Sequence, residues 1–289
     1  MTADAGGGIA WAKAGRLAGK VLLAIVIVAV LLAIAFPLYW LVTTSLKVPA
    51  DTATAPPVIV PTRFTLDNYA AALATPGVAR AFFNSVLVAT VATALTTFLG
   101  ALAAYALAKT YLSYSIRQAL LVWILVTRIF PPVTTAIPYY VIVKRLQLGD
   151  THTALILTYV AYGLPFVIWL MLGFFQDMPA EIEKAAIVDG CSLWQRFRQV
   201  VLPLALPGLA VTSVFAFIYS WNELLYASIL TSFNAKTIPV VVAGFISDQF
   251  LRWGEMTAIG SLMVIPVLVF AAGAQRYLVR GLTFGAVKG

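Results

Sequence analysis

Six stretches of this chain, at 21–46, 82–108, 119–143, 153–175, 204–230 and 258–279, are apolar enough and long enough to cross a lipid bilayer. A bilayer core about 30 Å thick needs about 20 mostly apolar helical residues per crossing. In hydrocarbon the backbone must bond within its own segment, so crossings of this length are helices. The composition agrees: 62% of the 289 residues are hydrophobic and 10% are charged, with a mean hydropathy of +0.95. Soluble domains carry roughly a quarter charged residues, so lipid is the expected solvent. The expectation is an all-α integral membrane protein: a segment 1–20, one membrane domain at 21–280, and a tail at 281–289.

Charge distribution sets the orientation. The net charge of +8 does not point to nucleic acid, because the basic residues form no stripe interleaved with aromatics and gather between the apolar stretches. Counting Lys and Arg beyond or at the edges of the spans gives eleven on one side and seven on the other, with Arg128 inside the third span. The positive-inside rule then places both termini of a multi-pass membrane protein in the cytoplasm. The loop 47–80, with Pro49, Pro56, Pro57 and Pro61, is expected outside the membrane as extended chain. Ala33-Ile34-Ala35 imitates a leader-cleavage site, but the apolar run continues to Leu46, so it is read as a span.

Helix breakers mark four spans: Pro37, the pair Pro131-Pro132 with Pro138, Gly163 with Pro165, and Pro266. The backbone groups they free need neighbouring helices or a polar cavity, so these spans are expected to pack around something. Gly100, Ala104 and Ala108 form a small-residue face for close helix contact. The single cysteine, Cys191, can make neither an intrachain disulfide nor a thiolate metal site. His152 beside Asp150 is expected to be a solvated or loop-bonding residue. Arg252 and Glu255 are expected as a surface ion pair near Trp253.

A polar insert at 176–203 separates the fourth and fifth spans. Asp177 is a candidate N-cap, Pro179 fits a first turn, and Glu181 and Glu183 suit the positive end of a helix dipole. Gly190 suits a stop. Ser192 and Gln195 have capping-box spacing for a second helix carrying Trp194, Phe197 and Val200. Such a surface helix would either receive a push from another protein or lie on the lipid headgroups.

Ala185-Ala186-Ile187-Val188-Asp189-Gly190 followed by Val201-Leu202-Pro203 resembles the EAA loop of permeases in binding-protein-dependent ABC importers. Matches continue through Asn68-Tyr69, Asn84-Ser85, Ala103-Ala104-Tyr105-Ala106, Phe130-Pro131, Ile137-Pro138, Trp221-Asn222-Glu223 and the ending from Gln275 to Thr283. The likeness is to maltose-type carbohydrate permeases. It departs at Lys184, where the family usually has Glu; Glu183 lies one position earlier.

The resemblance implies six transmembrane helices with a cytoplasmic EAA-type coupling helix between the fourth and fifth. It also implies a companion permease, often a different chain, two cytoplasmic P-loop ATPases that bind ATP and Mg, an external solute-binding protein and a sugar or polyol substrate. ATPase coupling would fall to Glu181, Glu183, Lys184, Ala185, Ala186, Asp189, Gly190, Trp194 and Pro203. This chain has no Gly-x-x-x-x-Gly-Lys-Ser/Thr, so no cofactor, metal or catalytic residue is assigned to it.

Glu223 is the only acidic residue inside an expected span. With Tyr219, Ser220, Trp221 and Asn222 it combines hydrogen-bonding groups and rings, the mixture a sugar requires. Two readings stay open: a sugar path or gate contact, or a buried packing pair between Glu223 and Arg128. An ion-coupled secondary transporter is the alternative class, but no internal repeat is seen and the insert 176–203 would be unexplained. An intramembrane enzyme lacks its usual motifs.

Overall fold

The computed structural model describes residues 5–52, 54–109, 112–245 and 252–285. Among these the fold is helical, and the chain divides into two compact units, one of residues 1–72 with 252–261 and one of 73–251 with 262–289.

The first unit begins with α1, Ala5–Ser45, which carries the expected first span; from Leu17 to Leu38 its side chains are exposed all round. A helix apolar on every face is stable in that state only in lipid. The following loop is a folded corner instead of the extended chain expected. It contains the short helices α2, Pro49–Thr52, and α3, Asp67–Ala74. Buried Asn68 donates its Nδ2 to the carbonyls of Ser45 and Lys47, at 2.9 and 2.8 Å, and the Ser45 and Tyr69 hydroxyls meet at 2.7 Å. Asp51 Oδ2 accepts from the Thr62 amide and hydroxyl, at 2.9 and 2.7 Å, which holds its carboxyl below the usual range. These side-chain bonds replace ladder bonds that a Pro-rich segment cannot make. Arg252 and Glu255 form the expected pair, with Nε 2.7 Å from Oε1.

The spine of the second unit is α4, Val78–Lys109, packed along α7, His152–Gln176. Small residues let them touch: a Cβ on Gly100 would fall 2.4 Å from Val167 Cγ1, and one on Gly163 would lie 3.1 Å from Thr96 Cγ2. Gly100 and Ala104 of the expected small-residue face are buried.

Two spans drawn as continuous are broken. The stretch 119–143 becomes α5, Tyr114–Ile129, and α6, Pro132–Arg145, bent by 98°. Consecutive Pro131 and Pro132 lack N–H donors, and Phe130, preceding a proline, is extended. The stretch 204–230 is likewise divided. After α8, Ala180–Val188, come α9, Leu193–Gln195, a π-helical turn at Arg196–Val201, and α10, Leu202–Leu204. The run Leu193–Leu204 then meets α11, Leu206–Trp221, at 78°. α11 stops at Trp221, and α12, Leu225–Leu230, follows, then α13, Ile238–Ala243. The last helix, α14, Trp253–Gly285, outruns the expected span at both ends despite Pro266. Among the described residues four helices are long and apolar enough to cross a membrane, or six with each bent pair taken as one span.

Candidate functional site: an exposed coupling segment and an aromatic cavity

Residues 176–203 fold as helix, turn, helix, with one change at the start. Asp177 is not an N-cap: α7 runs on to Gln176, and the Asp177 amide bonds the Gly173 carbonyl to close that helix. Pro179 takes the N-cap position of α8 instead. At the other end Gly190 has φ +77°, the left-handed turn that favours glycine, and the amide of Cys191 reaches back to the Ala186 carbonyl. Ser192 and Gln195 form the expected capping box, with the Ser192 amide 2.8 Å from Gln195 Oε1 and the Gln195 amide 3.3 Å from Ser192 Oγ. The helix then widens into the π turn, which places Phe197 and Val201 in the core and leaves Trp194 half exposed. Val200, also carried by this second helical stretch, is half-buried.

The two carboxylates of the first turn of α8 separate. Glu181, Lys184, Ala185, Ile187, Val188, Asp189 and Gly190 are exposed, Val188 at 87%. Glu183 and Ala186 turn inward. Glu183 Oε1 accepts from the Tyr105 hydroxyl at 2.6 Å, and its Oε2 lies 3.6 Å from Lys109 Nζ. Pro203 is exposed at the bend.

The Trp221-Asn222-Glu223 cluster is divided by the end of α11. Trp221 is 1% exposed and packed between Phe82 and Phe217, with ring centroids 5.7 and 5.8 Å away. Asn222 closes α11 through the Ile218 carbonyl. Glu223 is buried and accepts from the amides of Tyr226, at 2.8 Å, and Ala227, at 3.0 Å, so its carboxylate satisfies the first turn of α12. Arg128 makes no ion pair with it; its guanidinium lies over the Tyr162 and Phe166 rings, 5.2 and 5.8 Å from their centroids. The pair proposed between the two charges is replaced by helix capping on one side and cation–π contact on the other.

Two of the five path candidates do meet. Arg128 and Tyr219 line a cavity of about 240 Å³ with Thr96, Tyr159, Phe166, Phe215 and Ser220. Tyr219 stacks on Tyr162 at 5.2 Å, and Tyr162 leans on Tyr226 at 5.6 Å. Ring faces, hydroxyls and one fixed cation give this space the chemistry to stack on and hydrogen-bond to a polyhydroxylated solute. Thr96, Tyr159 and Phe166 were not anticipated. For Tyr159 and Phe166 the helix breakers Gly163 and Pro165 were the available signal, since they lie in the stretch of α7 that borders the cavity; Thr96 comes from α4 and had no such signal.

At the end of the unit opposite α8, the Asp150 carboxylate accepts four amides, from Ser232, Phe233, Asn234 and Ala235, at 2.9–3.1 Å. Partial burial pushes its pKa up, but these donors outweigh burial and hold it at about 2. His152 is a loop-bonding residue: its Nε2 lies 2.7 Å from Asn84 Oδ1, and Asn84 Nδ2 donates to the Asn234 and Lys236 carbonyls.

Known proteins resemble this chain in sequence and in fold. The chain is 40% identical to a probable ABC transporter permease protein, y4oR, of Sinorhizobium fredii over 88% of its length and 90% of that protein. It is 37% identical to the trehalose transport system permease protein SugB of Mycobacterium tuberculosis over 88% of this chain and 92% of that one. In fold it is similar to a crystal structure of a bacterial ABC transporter involved in the import of the acidic polysaccharide alginate, with a TM-score of 0.74 at 22% identity, covering 92% of this chain and 98% of that one. Residues 96–284 match the family described as the inner-membrane component of binding-protein-dependent transport systems, and the chain belongs to that family.

Proposed function

We propose that this chain is the membrane-spanning permease subunit of an ATP-driven importer that moves a sugar or related polyol by alternating access. The observation that carries the reading is α8 itself: a short helix, anchored at both ends to long apolar helices, whose outward face presents Lys184, Ala185 and Val188. Ile187, Leu193 and Trp194 add 47–53% exposed apolar side chains. A patch of that kind, edged by charge, suits a protein cleft. Membership of a binding-protein-dependent family supports an external solute-binding protein as the donor of solute.

The remaining partners in this proposal are a companion permease of different sequence, two P-loop ATPases that hold ATP and Mg, and the lipid bilayer. Both termini face the cytoplasm of a bacterial inner membrane, and no catalysis is assigned to this chain. ATPase closure moves α8, and the membrane helices respond by exchanging an inward-open for an outward-open cavity. The nucleotide state biases that equilibrium by its differential affinity for the two forms. Tyr219, Tyr162 and the cavity hydroxyls support a carbohydrate solute. The family membership counts against an ion-coupled secondary transporter.

The test is purification from the native membrane in mild detergent. A second permease and a P-loop ATPase should accompany the chain, and ATP hydrolysis should rise with one sugar and its binding protein. A chain that emerges alone and transports on an ion gradient without ATP would overturn the proposal.

A further inference from the structure

The buried side of α8 is tied to a single helix at two points one turn apart. Tyr105 and Lys109 occupy positions i and i+4 of α4 and so share a face. The Tyr105 hydroxyl bonds Glu183 at 2.6 Å. Lys109 Nζ lies 3.6 Å from the same carboxylate and also donates, at 3.2 Å, to the carbonyl of Met178, immediately before α8. The Lys109 and Glu183 side chains are 13% and 10% exposed, so the pair is largely sheltered from water and salt. The Tyr105 ring is held in turn by Phe175 of α7 and Phe197 of the π turn, at 5.7 and 5.1 Å.

About 30 Å along the same helix, at 1.5 Å per residue, α4 is clamped again. There Asn84 Nδ2 bonds the carbonyls of Asn234 and Lys236, both at 2.9 Å, and Ser85 Oγ accepts from the Ile238 amide at 2.8 Å. Between the clamps α4 supplies Thr96 to the aromatic cavity and lies against α7 at Gly100. A continuous helix without internal proline, gripped at both ends by buried polar contacts, passes a shift of one end to the other, because breaking a clamp leaves buried groups unpaired.

We infer that α4 is the rod that carries a displacement of α8 across the membrane domain to the 232–238 segment, and that Glu183 is a positioning residue inside the permease, not an ATPase contact. The inference rests on the reading of this chain as an ATP-driven permease. Glu181 and Asp189, together with Asp177 before α8, are then the carboxylates of the segment left facing outward.

The experiment uses the whole assembly in proteoliposomes and reads solute moved per ATP hydrolysed, together with the amount of ATPase that co-purifies. Tyr105→Phe and Glu183→Ala should each lower that ratio about tenfold, the loss expected when a buried hydrogen bond to a charged group is removed. The double variant should be no worse than Glu183→Ala, and the ATPase should stay bound in all three. Lys109→Arg should keep the ratio and Lys109→Met should lose it, a contrast that a general folding defect at Glu183 would not produce. Wild-type ratios in both Tyr105→Phe and Glu183→Ala would overturn the inference. So would loss of the ATPase from Glu183→Ala alone, since that would make Glu183 a docking contact. A wild-type assembly with no ATP-driven uptake would instead remove the permease reading, and the rod with it.

Discussion

At the scale of single residues, two glycines are required for different reasons. Gly100 is needed for space, because any Cβ there meets Val167 within 2.4 Å. Gly100→Ala should destabilise the protein by about 1–3 kcal/mol, the usual cost of overpacking, and Val167→Ala should recover much of it. Thermal unfolding of the detergent-purified protein measures both; independent, additive losses would argue against the contact. Gly190 has open space around its Cβ position but a φ of +77°. The cost of replacing it is therefore in the backbone, about 1–2 kcal/mol for a residue that resists the left-handed region. Gly190→Val should uncouple transport from ATP hydrolysis, and Gly190→Asn, which tolerates that region, should remain close to wild type. Equal behaviour of the two variants in a transport-per-ATP assay would remove the conformational role.

At the scale of elements, the 232–235 turn has no regular backbone pairing of its own and borrows a carboxylate. Asp150→Ala would strip four amides of their acceptor, at a cost of about 2 kcal/mol. The sign of the pH dependence follows from a depressed pKa. The carboxylate's contribution is complete above its unfolded value, near 4, and is lost as pH falls toward its folded value of about 2. The stability gap between wild type and Asp150→Ala should thus be constant above about pH 5 and close between pH 4 and 2. A gap that widens on acidification would mean another group carries the effect. The same economy explains Glu223: a carboxylate that reads in sequence as a gate or a charge pair is bound to the start of α12.

At the scale of the whole molecule, orientation can be tested directly. With Cys191 replaced by serine, a cysteine at Pro57 should react with a membrane-impermeant maleimide in intact cells, while one at Val188 should react only after the inner membrane is opened. Labelling of Val188 in intact cells would invert the topology. Both positions are exposed in the chain itself; labelling Val188 again after the partner ATPase is stripped from opened membranes separates sidedness from cover by that partner.

The helical type of the membrane segments was legible because hydrocarbon permits few alternatives: a long apolar run must be helical to satisfy its backbone. The turn at Gly190 and the capping box at Ser192 were legible too, since both are local devices within a few residues. The breaks at Phe130-Pro131 and after Trp221 were less so; proline flagged the first, but hydropathy alone runs straight through both. Partner choice among the buried charged side chains was not readable. Glu183 and Tyr105 are 78 positions apart, and Asp150 and the turn it holds are more than 80 apart. Which carboxylate faces outward, which caps a helix and which ring receives Arg128 depend on how α4, α7 and α11 pack, because the energy of a buried charge is set by whatever group lies within a few ångströms of it. The sequence alone determined a polytopic helical permease with a surface helix between two spans; the tertiary structure decided what each of its few buried charges holds.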